Sequence, residues 1–98
     1  MPDKENAPRI VNNEQQHRWE AHVGNDVAIA NYRRGDGRIT FTHTEVPPEL
    51  EGQGIAGKLV KAALESAKEE GLRVVARCSF VKGYIERHPE YRSLLSEE

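Results

Sequence analysis

Apolar positions recur along this chain first at every second residue and then, past the middle, at every third or fourth. Ile10 and Val11 open a first short strand. From His17 to Val23 the pattern alternates, with His17, Trp19, Ala21 and Val23 on one face, which predicts a half-buried strand. Gly24-Asn25 marks a turn, and Asp26 to Arg34 is a further β-favouring run through Val27, Ile29 and Tyr32. Gly35-Asp36-Gly37 supplies the next turn, so the Arg34-Gly35-Asp36 triplet is explained by turn geometry rather than as an adhesion sequence. Arg38 to Val46 alternates strictly, with Ile39, Phe41, His43 and Glu45 on one face and Thr40, Thr42, Thr44 and Val46 on the other. Pro47 and Pro48 have no amide hydrogen to donate, so pairing stops there and backbone groups are left for a ligand.

The period then changes. Ile55 to Glu70 predicts a helix whose apolar stripe is Ala56, Leu59, Val60, Ala63, Leu64 and Ala67, with Lys58, Lys61, Glu65, Lys68 and Glu69 on the opposite face and Gly71 as C-terminal cap. Leu72 to Cys78 is a short Val-rich strand, expected to return parallel to the strand before the helix. Ser79 is placed to cap a last helix that buries Phe80, Val81, Tyr84 and Ile85 and ends before Pro89, after which Leu94 and Leu95 offer a final apolar contact. Met1 to Pro8 reads as a flexible tail, 9–95 as one domain, and 96–98 as a frayed end. The result is a β-loop-α-β unit attached to antiparallel hairpins.

Ninety-eight residues suffice for one domain with one modest core. Fourteen Lys and Arg against sixteen Asp and Glu give a formal charge of -2, so nucleic acid is not an expected partner. A single cysteine makes no internal disulfide, and no apolar run has the length of a signal or membrane segment. A cytoplasmic protein with no membrane partner is expected.

Between the two periods lies a glycine-rich loop, Glu51 to Lys58, followed at once by the long helix. Glycines allow sharp turns and close ligand approach, and the unpartnered amides and positive dipole end of a helix start favour an anion such as phosphate. Gly52 to Gly57 satisfies G-x-G-x-x-G, but the acidic residue expected about 20 positions on is missing. Gly52 to Lys58 also spells G-x-x-x-x-G-K, but Leu59 stands where a P-loop needs a hydroxyl for magnesium. The run VPPELEGQGIAGKLVKAALE instead resembles motif A of the GNAT superfamily of acyl-CoA-dependent N-acetyltransferases, R/Q-x-x-G-x-G/A, with Gly54 and Ala56 at the small positions. That resemblance implies that the amides of Gln53, Gly54, Ile55, Ala56 and Gly57 bind the pyrophosphate of acetyl-CoA, with Lys58 as a further cofactor-binding residue, and that Thr44, Glu45 and Val46 hold its pantetheine arm. Glu51 departs from the family's Arg or Gln. A carboxylate ~4 Å from a phosphate repels it by ~1 kcal/mol in water and ~4 kcal/mol at intermediate dielectric, so the side chain turns away or Lys58 and Lys61 compensate.

Cys78 ends the last strand just before a helix start, where the dipole favours thiolate over thiol. From the residues alone two readings stand: a reactive cysteine, or a small buried residue at a strand end. Together, HTEVPPELEGQGIAGKLV and RCSFVKGYIERHPEYRSLL resemble a subgroup of GNAT-like proteins about 100 residues long, over Trp19 to Leu95. Members carry a cysteine matching Cys78 near the thioester end of acetyl-CoA, so the resemblance proposes Cys78 as an active-site residue. His43, on the strand entering the loop, is a candidate base for an incoming ammonium or for Cys78; its alternative is a packed histidine beside Ile39 and Phe41. Larger GNAT members use a tyrosine after the last strand to protonate the leaving thiolate, and Tyr84 lies in that region. Its spacing from Cys78 does not reproduce the family pattern, and its place on the apolar stripe favours a core role. His17, His22 and His88 form no metal set with Cys78, so no metal is expected.

The sequence therefore reads as a single GNAT-like α/β domain of the α+β type, with a mostly antiparallel twisted sheet and an acetyl-CoA-binding β-loop-α-β unit. The expected activity is acetyl transfer from acetyl-CoA, as co-substrate, to an amine acceptor that is a small molecule or a protein lysine. The rival is a non-catalytic coenzyme A-binding or protein-interaction module of the same fold.

Overall fold

The computed structural model describes residues 8–96, so the tail expected before Pro8 and the acidic end beyond Ser96 lie outside the described residues. Five strands form one sheet in sequence order: β1 (Arg9–Asn13), β2 (Arg18–Val23), β3 (Asp26–Gly35), β4 (Arg38–Glu45) and β5 (Arg73–Ala76). The first four pair antiparallel through short turns, and β5 lies parallel to β4 after a crossover through the long helix α1 (Ile55–Glu70). A short helix α2 (Ser79–Arg87) follows β5, and a 3-10 segment (Pro89–Leu94) closes the chain. This is the α+β architecture expected, with both helices packed on one face of the sheet.

The core has two parts. Under the first half of α1, Ile55 and Leu59 pack with Ala21, Ala28, Ala30 and Leu50; all three alanines are fully buried. Such small side chains let the helix approach the sheet closely, which sets the position of the loop that feeds it. Under the second half, Val60, Ala63, Leu64 and Ala67 pack with Tyr32, Ile39, Phe41, Val74 and the buried face of α2. Ala56, expected in the stripe, is only partly buried, and Ile55 takes its place. Gly71 ends α1 with φ 72°, its amide reaching the Ala67 and Lys68 carbonyls.

Several boundaries differ from expectation for identifiable reasons. His17 adopts φ 57° in the turn before β2, so the strand begins at Arg18 and the His17 ring stands edge-on to Tyr32. Cys78, not Ser79, is the N-terminal cap of α2, with no side-chain cap bond, and β5 stops at Ala76. Ser96 is not frayed: its amide donates to the Val74 carbonyl at 2.8 Å, and the Arg73 guanidinium donates to the Ser93 and Leu95 carbonyls. Those bonds cover the outer edge of β5. Tyr91 anchors the same segment to α1, its hydroxyl donating to Glu65 Oε2 at 2.6 Å; that bond and burial push the phenol far above its ordinary range.

The largest difference lies in β4. Pairing runs from Ile29↔Glu45, Ala30↔Thr44 and Asn31↔His43 to Tyr32↔Phe41, so Thr42 is one residue more than β3 can match. A bulge of this kind reverses the side-chain alternation beyond it. Ile39 and Phe41 face the helices as expected, but His43 and Glu45 point to the opposite face and Thr44 turns inward beside Ala30.

On the face away from the helices, Glu20 sits 6 % exposed and accepts hydrogen bonds from Asn13 Nδ2, Arg18 Nε and His22 Nε2, each at 2.8 Å. The Arg18 bond, then the Asn13 bond, hold its carboxyl at about 2, against a burial penalty in the other direction. A depressed folded-state value means that the stabilisation is complete above the unfolded value of 4.5 and disappears as pH falls through about 2. Since the covering side chains are themselves in water, the network is worth about 1–2 kcal/mol rather than the full shift. Glu20→Gln is expected to lower unfolding free energy at pH 7 by that amount, and the difference from wild type should vanish between pH 4.5 and 2 in denaturant titrations. Gly57 offers a second check: a Cβ there would meet Tyr84 Cε2 at an ordinary 3.7 Å. Gly57→Ala should stabilise the helix by ~0.5–1 kcal/mol in the same assay, whereas Gly57→Leu should destabilise by forcing Tyr84 aside.

Candidate functional site

The site is built where β4 and β5 part. Their pairing runs from Arg38↔Arg73 to Phe41↔Ala76, and the Phe41 carbonyl then accepts the amides of both Arg77 and Cys78, at 3.1 and 3.0 Å. β5 ends there and the chain turns into α2. β4 continues to Glu45, paired with β3 on one side and with no strand on the other among the described residues. A length of extended backbone with one open edge is what an extended ligand arm needs, because its amides and carbonyls can bond across the gap.

Beyond β4 the chain makes a single 3-10 turn (Pro48–Leu50), fixed by the Leu50 amide on the Pro47 carbonyl at 2.9 Å and by burial of Leu50. Gln53 spends its side chain inside this loop, donating from Nε2 to the Glu49 carbonyl at 3.0 Å. Gly52 and Gly54 both take left-handed conformations, φ 83° and 74°, which a side chain with a Cβ adopts only under strain. Gly54 is the N-terminal cap of α1 and provides no side-chain hydrogen bond, so the first-turn amides keep their donors unassigned. Those amides and the dipole of a sixteen-residue helix converge beside the loop.

A cleft of about 250 Å³ opens at this junction, lined by Val46, Leu50, Glu51, Gly52, Gly54, Ile55, Ala56, Gly57 and Phe80. Of the positions read from the sequence as cofactor-binding, Gly54, Ile55, Ala56 and Gly57 share this concavity with Val46, the residue after β4, whereas Thr44, Glu45, Gln53 and Lys58 are not in its lining. Phe80 forms its far wall from α2; the sequence placed it on a buried stripe, but its partial exposure is what makes it available to a ligand. Glu51 also lines the cleft and is exposed. The exposed side chains of Lys58 and Lys61 on α1 are the nearby sequence positions of opposite sign.

Cys78 is 8 % exposed, and its Sγ lies 3.2 Å from Thr44 Oγ1. This contact joins the end of β5 to the open stretch of β4 on the helix face. His43 is not part of it. Its side chain is 62 % exposed on the opposite face, with Nε2 3.9 Å from Glu45 Oε1. Tyr84 belongs to the core: it is 6 % exposed, stacks on His88 with ring centroids 4.1 Å apart, and tilts against Tyr91. Burial, and then the Glu90 charge, raise its phenol above the ordinary value, and no hydrogen bond joins it to Cys78 among the described residues. The Thr44 side chain was missed because the strict alternation of Arg38 to Val46 contains no glycine or other mark of a bulge.

Known proteins are similar to this chain. Residues 18–94 match the family described as GCN5-related N-acetyl-transferase. Protein NATD1 of Mus musculus is 32% identical over 84 residues, covering 83% of this chain and 76% of the relative. Protein NATD1 of Xenopus tropicalis is 28% identical over 90 residues, covering 89% and 83%. A GCN5-like protein from Staphylococcus aureus, solved in solution by NMR, superposes with a TM-score of 0.70 at 33% identity, over 90% of this chain and 87% of that one. With the parted strands, the glycine loop and a match over most of its length, the chain belongs to the GCN5-related N-acetyltransferase family.

Proposed function

We propose that this protein transfers an acetyl group from acetyl-CoA to an amine. The observation that carries the reading is the cleft in which Val46, the residue after β4, meets the glycine loop and the start of α1. Its parts match a ligand with an anionic group at one end and an amide-bearing arm at the other. The loop and first-turn amides from Gln53 to Gly57 hold the pyrophosphate, the Lys58 amide being spent on the Gly54 carbonyl at 3.2 Å, and the open backbone of Thr44 to Val46 holds the pantetheine arm. Ile55, Leu50 and Phe80 exclude water from the arm.

Acetyl-CoA supplies the acyl group already activated as a thioester. The chain's contribution is to fix the carbonyl against backbone donors of β4 and to hold it for attack. In direct transfer the amine nitrogen bonds to the carbonyl carbon, the carbon–sulfur bond breaks with its electron pair on sulfur, and the amine's proton passes to water. With its ring on the other face of the sheet, His43 acts as base only for an acceptor that reaches around the strand, so water is the nearer acceptor. A second route has one observation in its favour, the Thr44–Cys78 contact at the parting of the strands. There the Cys78 sulfur, its proton lost to water, bonds to the carbonyl carbon as the coenzyme A thiolate leaves, and the amine then bonds to that carbon, gives its proton to water and releases the Cys78 thiolate.

None of the described helices is long and apolar enough to cross a membrane, and the reading places the reaction in the cytoplasm. Calorimetric titration with acetyl-CoA, coenzyme A and ATP tests the site. The two coenzyme A species should bind and ATP should not; no binding by any of them would favour the interaction-module reading instead. Gly54→Val, at φ 74°, should cost about 1–2 kcal/mol of stability and at least tenfold in coenzyme A affinity, while circular dichroism still reports a folded domain. Affinity unchanged in that variant would remove the loop from the site.

A further inference from the structure

We infer that Thr44 is a positioning residue for Cys78: its hydroxyl donates a hydrogen bond to the sulfur, holding the thiol at the parting of β4 and β5 and favouring its reactive form. The inference rests on the reading of this junction as the acyl-transfer site. It concerns a side chain that the loop and strand backbone leave unused.

Three observations converge on it. Thr44 Oγ1 stands 3.2 Å from Cys78 Sγ, between residues 34 apart in sequence. The contact exists only because the bulge at Thr42 turns Thr44 inward; without it the Thr44 side chain would face away from both helices. Cys78 is also pinned from its backbone, since its amide donates to the Phe41 carbonyl at 3.0 Å and its carbonyl accepts the Lys82 amide at 3.0 Å. A thiol whose main chain is fixed at both ends has only side-chain rotation left, and one hydrogen bond selects the rotamer.

The direction of the bond follows from donor strength. A hydroxyl is a good donor and a thiol a poor one, whereas a thiolate can only accept. Cys78 is the cap residue of α2 and its sulfur makes no cap bond to the helix amides, which leaves it to accept from Thr44. Donation from Thr44 therefore suits a sulfur that can only accept once it has lost its proton. The substitution Thr44→Val keeps the branched shape and loses the donor; Thr44→Ser keeps the donor and loses only a methyl group.

The test is alkylation of Cys78, the chain's single cysteine, by iodoacetamide from pH 6 to 10 in wild type, Thr44→Val and Thr44→Ser. Thr44→Val is expected to react about five- to tenfold more slowly near pH 7, with the gap narrowing as rising pH ionises the thiol unaided. Thr44→Ser should restore most of the wild-type rate. Thr44→Val reacting as fast as wild type, or more slowly by the same factor at every pH, overturns the inference. So does a serine variant as slow as the valine one, because packing alone would then explain the loss. Should Thr44→Val fail to fold by circular dichroism, Thr44→Ala replaces it under the same criteria. A parallel arm adds coenzyme A to the wild type: failure to slow alkylation would count against the acyl-transfer reading, while the comparison of variants, which needs no ligand, would still decide the role of Thr44.

Discussion

A strand that carries one residue more than its neighbour must turn its remaining side chains over, and in this fold the extra residue is Thr42. Everything that distinguishes the end of β4 follows from that insertion. Thr44 moves to the helix face within reach of Cys78, His43 and Glu45 move into water, and the strand leaves β5 while remaining bonded to β3. Had β4 kept its register, the same sequence would have turned Thr44 away from the helices and set a histidine on the face of the core.

The parted strands would be of little use without a fixed helix above them. The buried alanines of β2 and β3 form a low floor, and Ile55 and Leu59 seat the first two turns of α1 on it. Because that end of the helix is immobilised, the loop between Pro47 and Gly54 is held at both ends. Its left-handed glycines then need no side chain to hold their shape. At the far end, Tyr91 on Glu65 and Ser96 on Val74 tie the last segment to α1 and β5, which keeps α2 and its Phe80 in place against the cleft. In a chain of this size, each packing contact therefore also shapes the site.

Charge is distributed in keeping with this economy. Glu20, the buried carboxylate of the uncovered face, is fully matched by three donors and serves stability. Glu51 lines the cleft at the position where motif A is written with Arg or Gln, so dipole and amides, rather than a dedicated cation, carry the proposed anion site.

The amino-acid sequence by itself determined the elements whose signals are local. Strict alternation placed the strands to within a few residues, the 3.6 period with Gly71 bounded α1, and Pro47-Pro48 with the glycines after them marked the loop. The resemblance of those same residues to motif A was enough to name the family. What tertiary structure alone decided was how the strand entering the loop faces. A bulge depends on the register of two strands against each other, and neither strand's own residues announce it. The same holds for the exposure of Phe80 and the fate of Tyr84: both lie on one apolar stripe, and only the packing of α2 against Gly57, His88 and Tyr91 left the first at the cleft and sealed the second in the core.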